Sequence, residues 1–322
     1  MTPTGPIELL TIGRISVDLY AEQVDTPLRD VTTFRKSIGG TATNVAVAAA
    51  RLGRHSAVWT RVGADKFGDY VRYALDETFG VDTRFVGTDP DLKTPLAFAE
   101  LHPPDDPTII FYREPRAPDM NVTFADLDAS VVADVPILWI AASNVAYETS
   151  RTAMHDVLRA RGRRTHTVLD LDWRPMFWSS PADATREIAP LLDLVTMAVG
   201  NRTECEIAVG SSDPDEAADR LLARGLDNVI VKLGADGVMV ATRSGERTRV
   251  APVPVDVVCG LGAGDAFGGA LCHGLLSGWD LARCAHFANA AGAIVASRLM
   301  CADDMPTLAE VEQLAATAGS AT

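Results

Sequence analysis

Positive charge is scarce in this chain of 322 residues: 29 lysines and arginines stand against 43 aspartates and glutamates, a formal net charge of −14. That balance excludes the basic field by which proteins hold nucleic acid or an anionic membrane, so any anionic ligand must be gripped locally. Long apolar runs are missing too. No stretch reaches the roughly 18–20 apolar residues that span a bilayer, and MTPTGPIELL lacks the basic-then-apolar layout of a secretory signal; the expectation is a cytoplasmic protein without membrane or nucleic-acid partners. The five cysteines are odd in number and show no CxxC spacing, which argues against a disulfide framework or a zinc site. Cys272 and His273 are adjacent, and neighbours on a helix do not face one another. There is no repeat, low-complexity tract or Gly/Ser linker, so residues 1–322 read as one domain. No GxxxxGK[ST] occurs, which rules out a P-loop.

What is present is an alternation. Residues 7–13, 55–63, 135–143, 165–172, 194–201 and 228–234 read as short buried strands, most followed by an Ala- and Leu-rich helical pattern. This predicts an α/β fold with a doubly wound, mainly parallel sheet flanked by helices. Two segments break the rhythm: residues 14–38 are of mixed extended character, and 95–114 read as two strands around a Pro- and Asp-rich turn, which together suggest a small β-flap. The terminal TAGSAT is expected to fray.

The segment CGLGAGDAFGGALCHGLLSGW (259–279) packs glycines around Asp265 and then becomes helical, with a start expected near Ala263 or Gly264 and an end near Gly278. Glycines at a helix N-terminus let a ligand approach the unpaired N–H groups of the first turn, an arrangement that binds phosphate without a positive side chain. The plainer alternative is a tight turn with Asp265 as a favourable first-turn charge. A dinucleotide fingerprint fails on context, because the following segment reads as another helix rather than as a strand ending in an acid. If the loop serves phosphoryl transfer, Asp265 would accept the proton of an attacking hydroxyl.

Other polar residues fall near carboxyl ends of expected strands, where open α/β sheets bind ligands: Asp18, the Gly39-Gly40 pair with Asn44, Asp172 with Arg174, and Asn201 with Glu204. Each alone also reads as a cap or turn residue.

Taken together, GGTATNVAVAAARLG, NRTE (201–204), VKLGADG (231–237) and GLGAGDAFGGAL resemble, in order and spacing, the motifs of the ribokinase-like (pfkB) carbohydrate kinases, over nearly the whole chain. The resemblance implies Asp265 as catalytic base, with the N–H groups of Gly262, Ala263 and Gly264 as an anion hole. It also implies ATP and Mg²⁺ as cofactors, the metal organised by Asn201 and Glu204 through water. Lys232, Gly234 and Gly237 would line the nucleotide side with Asn289 near the adenine, and Asp18, Gly39, Gly40 and Asn44 would hold sugar hydroxyls. Segments 14–38 and 92–120 would be a closing β-lid through which a homodimer could form.

Cys259-Gly260-Leu261 stands where many members carry Asp-Thr-x, which puts a monovalent-cation site in doubt. GRISVDLY, IFYREPRAPDM and DLDWRPMFW resemble the branch that phosphorylates a sugar acid at O6 in inositol catabolism, so a cation for the carboxylate is expected at Arg113 or Arg174. The alternatives are a sibling kinase acting on 2-keto-3-deoxygluconate or fructose, and a catalytically silent sugar-binding protein.

Overall fold

A computed structural model describes residues 5–103 and 105–319. Its strands are β1 (Leu9–Ile12), β2 (Ser16–Ala21), β3 (Phe34–Gly39), β4 (Ser56–Gly63), β5 (Val86–Asp89), β6 (Leu96–His102), β7 (Asp105–Tyr112), β8 (Ile137–Ala141), β9 (Thr167–Asp170), β10 (Met197–Asn201), β11 (Asn228–Lys232), β12 (Val238–Thr242) and β13 (Arg247–Val250). The α-helices are α1 (Thr41–Arg51), α2 (Lys66–Tyr73), α3 (Ala129–Asp134), α4 (Glu148–Arg161), α5 (Pro181–Ile188), α6 (Arg202–Val209), α7 (Pro214–Ala223), α8 (Ala263–Leu276), α9 (Leu281–Ala296) and α10 (Leu308–Gly319).

The large sheet runs β13-β12-β11-β10-β9-β8-β1-β4-β5. It is parallel from β11 to β5 and closes with two antiparallel strands. Its central strands, such as LLTI and ILWIA, are buried along their whole length, as a parallel sheet covered on both faces requires. All six strands expected from the alternation are in this sheet; β5 and β13 carry no comparable apolar signal, whereas β12, VMVAT, has one that the alternation did not include. One core cluster joins the sheet to α1, α8 and α9, and the other joins it to α4, α6 and α7. The order reverses at β1, whose neighbours are β8 and β4. At such a switch point the connections diverge to opposite faces and leave a crevice at the carboxyl ends of the strands.

The irregular segments form a second sheet, β3-β2-β6-β7. Strand alternation gives it two faces. Asp18, Ala97, Ile109 and Phe111 look into the crevice. Phe34, Phe98 and Tyr112 form an edge-to-face ladder on the other side, with centroids 5.5 and 5.4 Å apart. The expected fraying of the tail is not seen through Gly319, which ends α10; residues 320–322 lie outside the described ones. Among the described residues, no helix is long and apolar enough to cross a membrane.

Helices α1 and α8 pack unusually close because their facing residues are small. A Cβ at Gly269 would lie 2.4 Å from the Ala48 Cβ and 2.7 Å from the Ala49 nitrogen. The contact matters for the site, since α1 carries Asn44 and α8 carries Asp265. Gly269→Ala should therefore destabilise the protein by about 1–3 kcal/mol through overpacking, measured by urea unfolding; an unchanged midpoint would mean that the helices can part without cost.

Candidate active site

A cavity of about 460 Å³ opens at the carboxyl edge of the large sheet, under the smaller sheet. Its wall gathers Asp18, Gly40, Asn44, Arg174, Asn201, Glu204, Lys232, Gly262, Gly264 and Asp265, drawn from six separate stretches of chain. Helix α8 begins at Ala263, with Gly262 as its N-cap at φ 83°, a left-handed conformation suited to glycine. The Cβ that Gly262 lacks would lie 2.9 Å from the Cys301 Sγ. Ala263 sends its N–H to the Gly260 carbonyl at 3.3 Å, a long bond, and does not line the cavity. The next N–H groups, of Gly264 and Asp265, belong to the first turn, where the helix supplies no acceptor.

The Asp265 carboxylate accepts a bond from the Asn44 Nδ2 at 2.8 Å. Burial lifts its pKa from 3.8 to about 6, against the opposing pull of that bond and of Arg174. The other end of the amide, the Asn44 Oδ1, is buried without a partner, so a hydroxyl donor from a ligand would satisfy it. Asp18 faces it from the smaller sheet, accepting from the Ser16 hydroxyl at 2.6 Å, and burial raises its pKa to about 6 as well. Gly39 lies outside the lining but makes room for Asp18: a Cβ there would sit 1.9 Å from the Asp18 Oδ2. Gly40 has φ 104° and would place a Cβ 2.3 Å from the Arg14 carbonyl oxygen.

Asn201 and Glu204 form a reciprocal cap on α6. The Glu204 N–H donates to the Asn201 Oδ1 at 2.9 Å, and the Asn201 N–H to the Glu204 Oε2 at 2.7 Å. The capping and ligand readings are thus compatible, since both residues also face the cavity. Register pairs Asn201 with Lys232 across β10 and β11, and the Lys232 ammonium lies 3.8 Å from the Glu204 carboxylate. Burial would lower the Lys232 pKa, but Glu204, Asp170 and Asp265 outweigh it and raise it.

Several residues at or behind the cavity wall were not singled out by the sequence reading. Arg14 follows β1, Asp170 ends β9, Ser143 follows β8, and Cys301 comes from the loop after α9. Ser143 does not line the cavity itself but donates to the Asp172 carboxylate. Arg14 and Asp170 had a signal in their place at strand ends; Ser143 and Cys301 had none. Asp170 is pushed up by burial and by neighbouring carboxylates. Asp172 is driven the other way, because Arg14 and Arg174 outweigh its burial.

Some expected residues lie elsewhere. Arg113 does not line the cavity: its side chain is 7% exposed and ion-paired with the fully buried Asp119. Gly234, Gly237 and Asn289 are also off this wall. Gly237, at φ 85°, lets the β11–β12 turn pass where a Cβ would meet the Val250 carbonyl oxygen at 2.1 Å, and Asn289 donates to the Ala251 carbonyl at 2.9 Å.

A doubly wound sheet whose carboxyl edge holds a carboxylate at a glycine-opened helix N-terminus, covered by a small second sheet, is the architecture of the ribokinase-like kinases. The pfkB family carbohydrate kinase model matches residues 7–308, and the chain belongs to that family: it is a carbohydrate kinase. It is 31% identical to the 5-dehydro-2-deoxygluconokinase of Geobacillus kaustophilus over 315 residues, covering 96% of this chain and 93% of that one. To the 5-dehydro-2-deoxygluconokinase of Photobacterium profundum it is 33% identical over 309 residues, covering 94% and 92%. Among solved structures, a PfkB protein from a Polaromonas species matches with TM-score 0.83 at 28% identity, covering 95% of this chain and 99% of that one. A fructokinase from Xylella fastidiosa with bound ATP matches with TM-score 0.82 at 25% identity, covering 97% and 98%.

The raised carboxyls make a prediction about pH. Folded Asp265 keeps its proton to about pH 6, whereas an ordinary carboxyl loses it near 3.8. The folded state therefore binds more protons in that window, and stability falls as pH rises through it. Asp265→Asn should melt above wild type at pH 7–8, and the gap should shrink below pH 4. A gap that is constant across pH would assign the effect to packing instead.

Proposed function

We propose that the protein transfers the γ-phosphoryl group of ATP, with Mg²⁺, to the primary O6 hydroxyl of 5-dehydro-2-deoxy-D-gluconate. The observation that carries the chemistry is the Asp265 carboxylate, held by Asn44 at the open first turn of α8. Asp265 takes the hydroxyl proton as the O6–phosphorus bond forms and the bond to the leaving ADP breaks. A weak base suffices, since a loose transition state asks little activation of the nucleophile. The first-turn N–H groups around Gly262, Ala263 and Gly264 face the charge on the moving phosphoryl group, those of Gly264 and Asp265 being the freest.

The charges on the wall support a metal. Five carboxylates, Asp18, Asp170, Asp172, Glu204 and Asp265, face three cations, Arg14, Arg174 and Lys232. A nucleotide phosphate chain adds further negative charge, so a divalent cation is needed for the ligand to enter. Glu204 and Asn201, with Asp170 on the same wall, would hold Mg²⁺ through water, as that ion prefers. Bound there, it would neutralise phosphate oxygens during transfer. Lys232 serves the same end of the cavity, its ammonium reaching within 3.3 Å of where a Cβ of Gly264 would be. Gly234, Gly237 and Asn289 keep a nucleotide role only if ATP extends beyond this cavity.

The substrate rests on the relatives, since the two named above and others from Bacillus and Clostridium bear the same name. A sugar acid also suits a wall with two guanidiniums at one end. Asp18, Gly40 and Asn44 would take sugar hydroxyls, and the smaller sheet, within 14–38 and 92–120, would close over them to exclude water.

The test is ATP consumption with Mg²⁺ and 5-dehydro-2-deoxygluconate, 2-keto-3-deoxygluconate, fructose or ribose. Selective turnover of the first is expected; turnover of a neutral sugar alone would discard the sugar-acid reading, and none at all would favour a silent binder. Asp265→Asn should lower kcat by at least about 10²-fold while leaving ATP affinity nearly unchanged; near-normal kcat would remove Asp265 as base.

The aromatic ladder on the outer lid face, with Ile110 41% and Tyr112 62% exposed, fits a second copy of the chain. Sedimentation should show a dimer that Ile110→Glu converts to monomer. A wild-type monomer at micromolar concentration would exclude that pairing.

A further inference from the structure

A sugar acid needs a fixed cation at the sugar end of the cavity, and Arg113 is already paired inside the protein. Arg14 has the geometry that Arg113 lacks. It lines the cavity, two residues before Ser16 and four before Asp18, while Lys232 stands with Glu204 at the phosphate end.

Its guanidinium is held on two of its three nitrogens. Nε donates to the Ser143 hydroxyl at 2.9 Å, and Nη2 donates to the Thr41 hydroxyl at 2.7 Å and to the Asp172 Oδ2 at 2.9 Å. The Phe177 ring lies 5.1 Å from the guanidinium carbon. The third nitrogen, Nη1, has no hydrogen-bond partner among the described residues, yet it is not among the buried unsatisfied atoms, so it remains open. A guanidinium immobilised in this way loses little further freedom when it binds an anion.

The carboxylate that holds it is shared. The second oxygen of Asp172 accepts from the Arg174 Nε at 3.0 Å. One carboxylate thus serves two guanidiniums, so that neither has Asp172 to itself, while Asp265 and Glu204 also act on Arg174 and Asp18 feels Arg14. Of the two, the Arg174 side chain is 39% exposed and the Arg14 side chain 4%, which makes Arg14 the fixed member.

We propose that Arg14 reads the carboxylate of the substrate through Nη1 and is the residue that separates a sugar acid from a neutral sugar. This rests on the sugar-acid reading above. Asp172, Ser143 and Thr41 act through it, as positioning residues.

The experiment compares 5-dehydro-2-deoxygluconate with its uncharged carboxamide in wild type, Arg14→Gln, Arg14→Lys and Arg113→Gln. Wild type should prefer the acid. Arg14→Gln should raise KM for the acid by about 10²-fold, the loss expected for a charged partner, with KM for ATP and for the amide within about threefold of wild type. Arg14→Lys keeps the charge but not the fork, and should lose at least about tenfold of the acid preference; it decides the matter if melting shows that Arg14→Gln does not fold. Arg113→Gln should keep the preference. A wild-type preference that survives in a folded Arg14 variant overturns the Arg14 assignment alone, whereas a wild type indifferent to the charge overturns the sugar-acid reading and this proposal with it.

Discussion

Desolvated negative charge is the constraint around which the cavity is built. Parallel strands deliver their carboxyl ends to one edge, and five carboxylates meet there under a second sheet. Each would prefer water, and burial accordingly raises Asp18, Asp170 and Asp265 toward their neutral forms. Asp172 escapes this because two arginines are committed to it. The site is therefore poised electrostatically: it stabilises whatever brings positive charge or hydrogen-bond donors to these carboxylates.

That poise depends on close backbone packing, which explains the placement of glycine. Gly39 clears the volume that the Asp18 carboxyl occupies, and Gly262 lets the α8 loop pass against Cys301. Gly268 and Gly269 bring α8 against Trp139 and α1, so that Asn44 can reach Asp265. In the sequence Gly262, Gly268 and Gly269 read as one group of glycines around Asp265 that lets an anion approach the helix N-terminus, apart from Gly39, which was expected at sugar hydroxyls. In the structure only those at the loop can serve that purpose, and the later ones are packing residues.

Legibility followed chain locality. The alternation of buried strands and the glycine-to-helix transition at Ala263 are local patterns, and both are present in the fold. The cap formed by Asn201 and Glu204 is local as well, three residues apart. Partners brought from afar left no such trace. Ser143 reaches Asp172 across 29 positions and Arg14 reaches it across 158; nothing in either neighbourhood signals that the two will share a carboxylate. The edge strand β13 was missed for a different reason, since it is half exposed and lacks an apolar run.

Arg113 shows how a correct local reading can still give the wrong partner. It lies two residues beyond Phe111, and strand alternation turns both toward the same side; Phe111 does line the cavity. What periodicity could not supply is Asp119, folded in from the short turn Pro118–Asn121. One oxygen of Asp119 takes the Arg113 guanidinium, the other accepts the Ile15 N–H at 2.8 Å, and Arg113 in turn reaches the Ile15 carbonyl at 3.4 Å. The pair thus fastens the end of β7 to the link between β1 and β2, the point where the smaller sheet leaves the larger one. A buried ion pair of this kind is costly to break from one side, so Arg113 is held where the smaller sheet leaves the larger one. Its charge is still felt at Asp18, but the guanidinium that lines the cavity is the one that the same stretch of chain places one residue before Ile15.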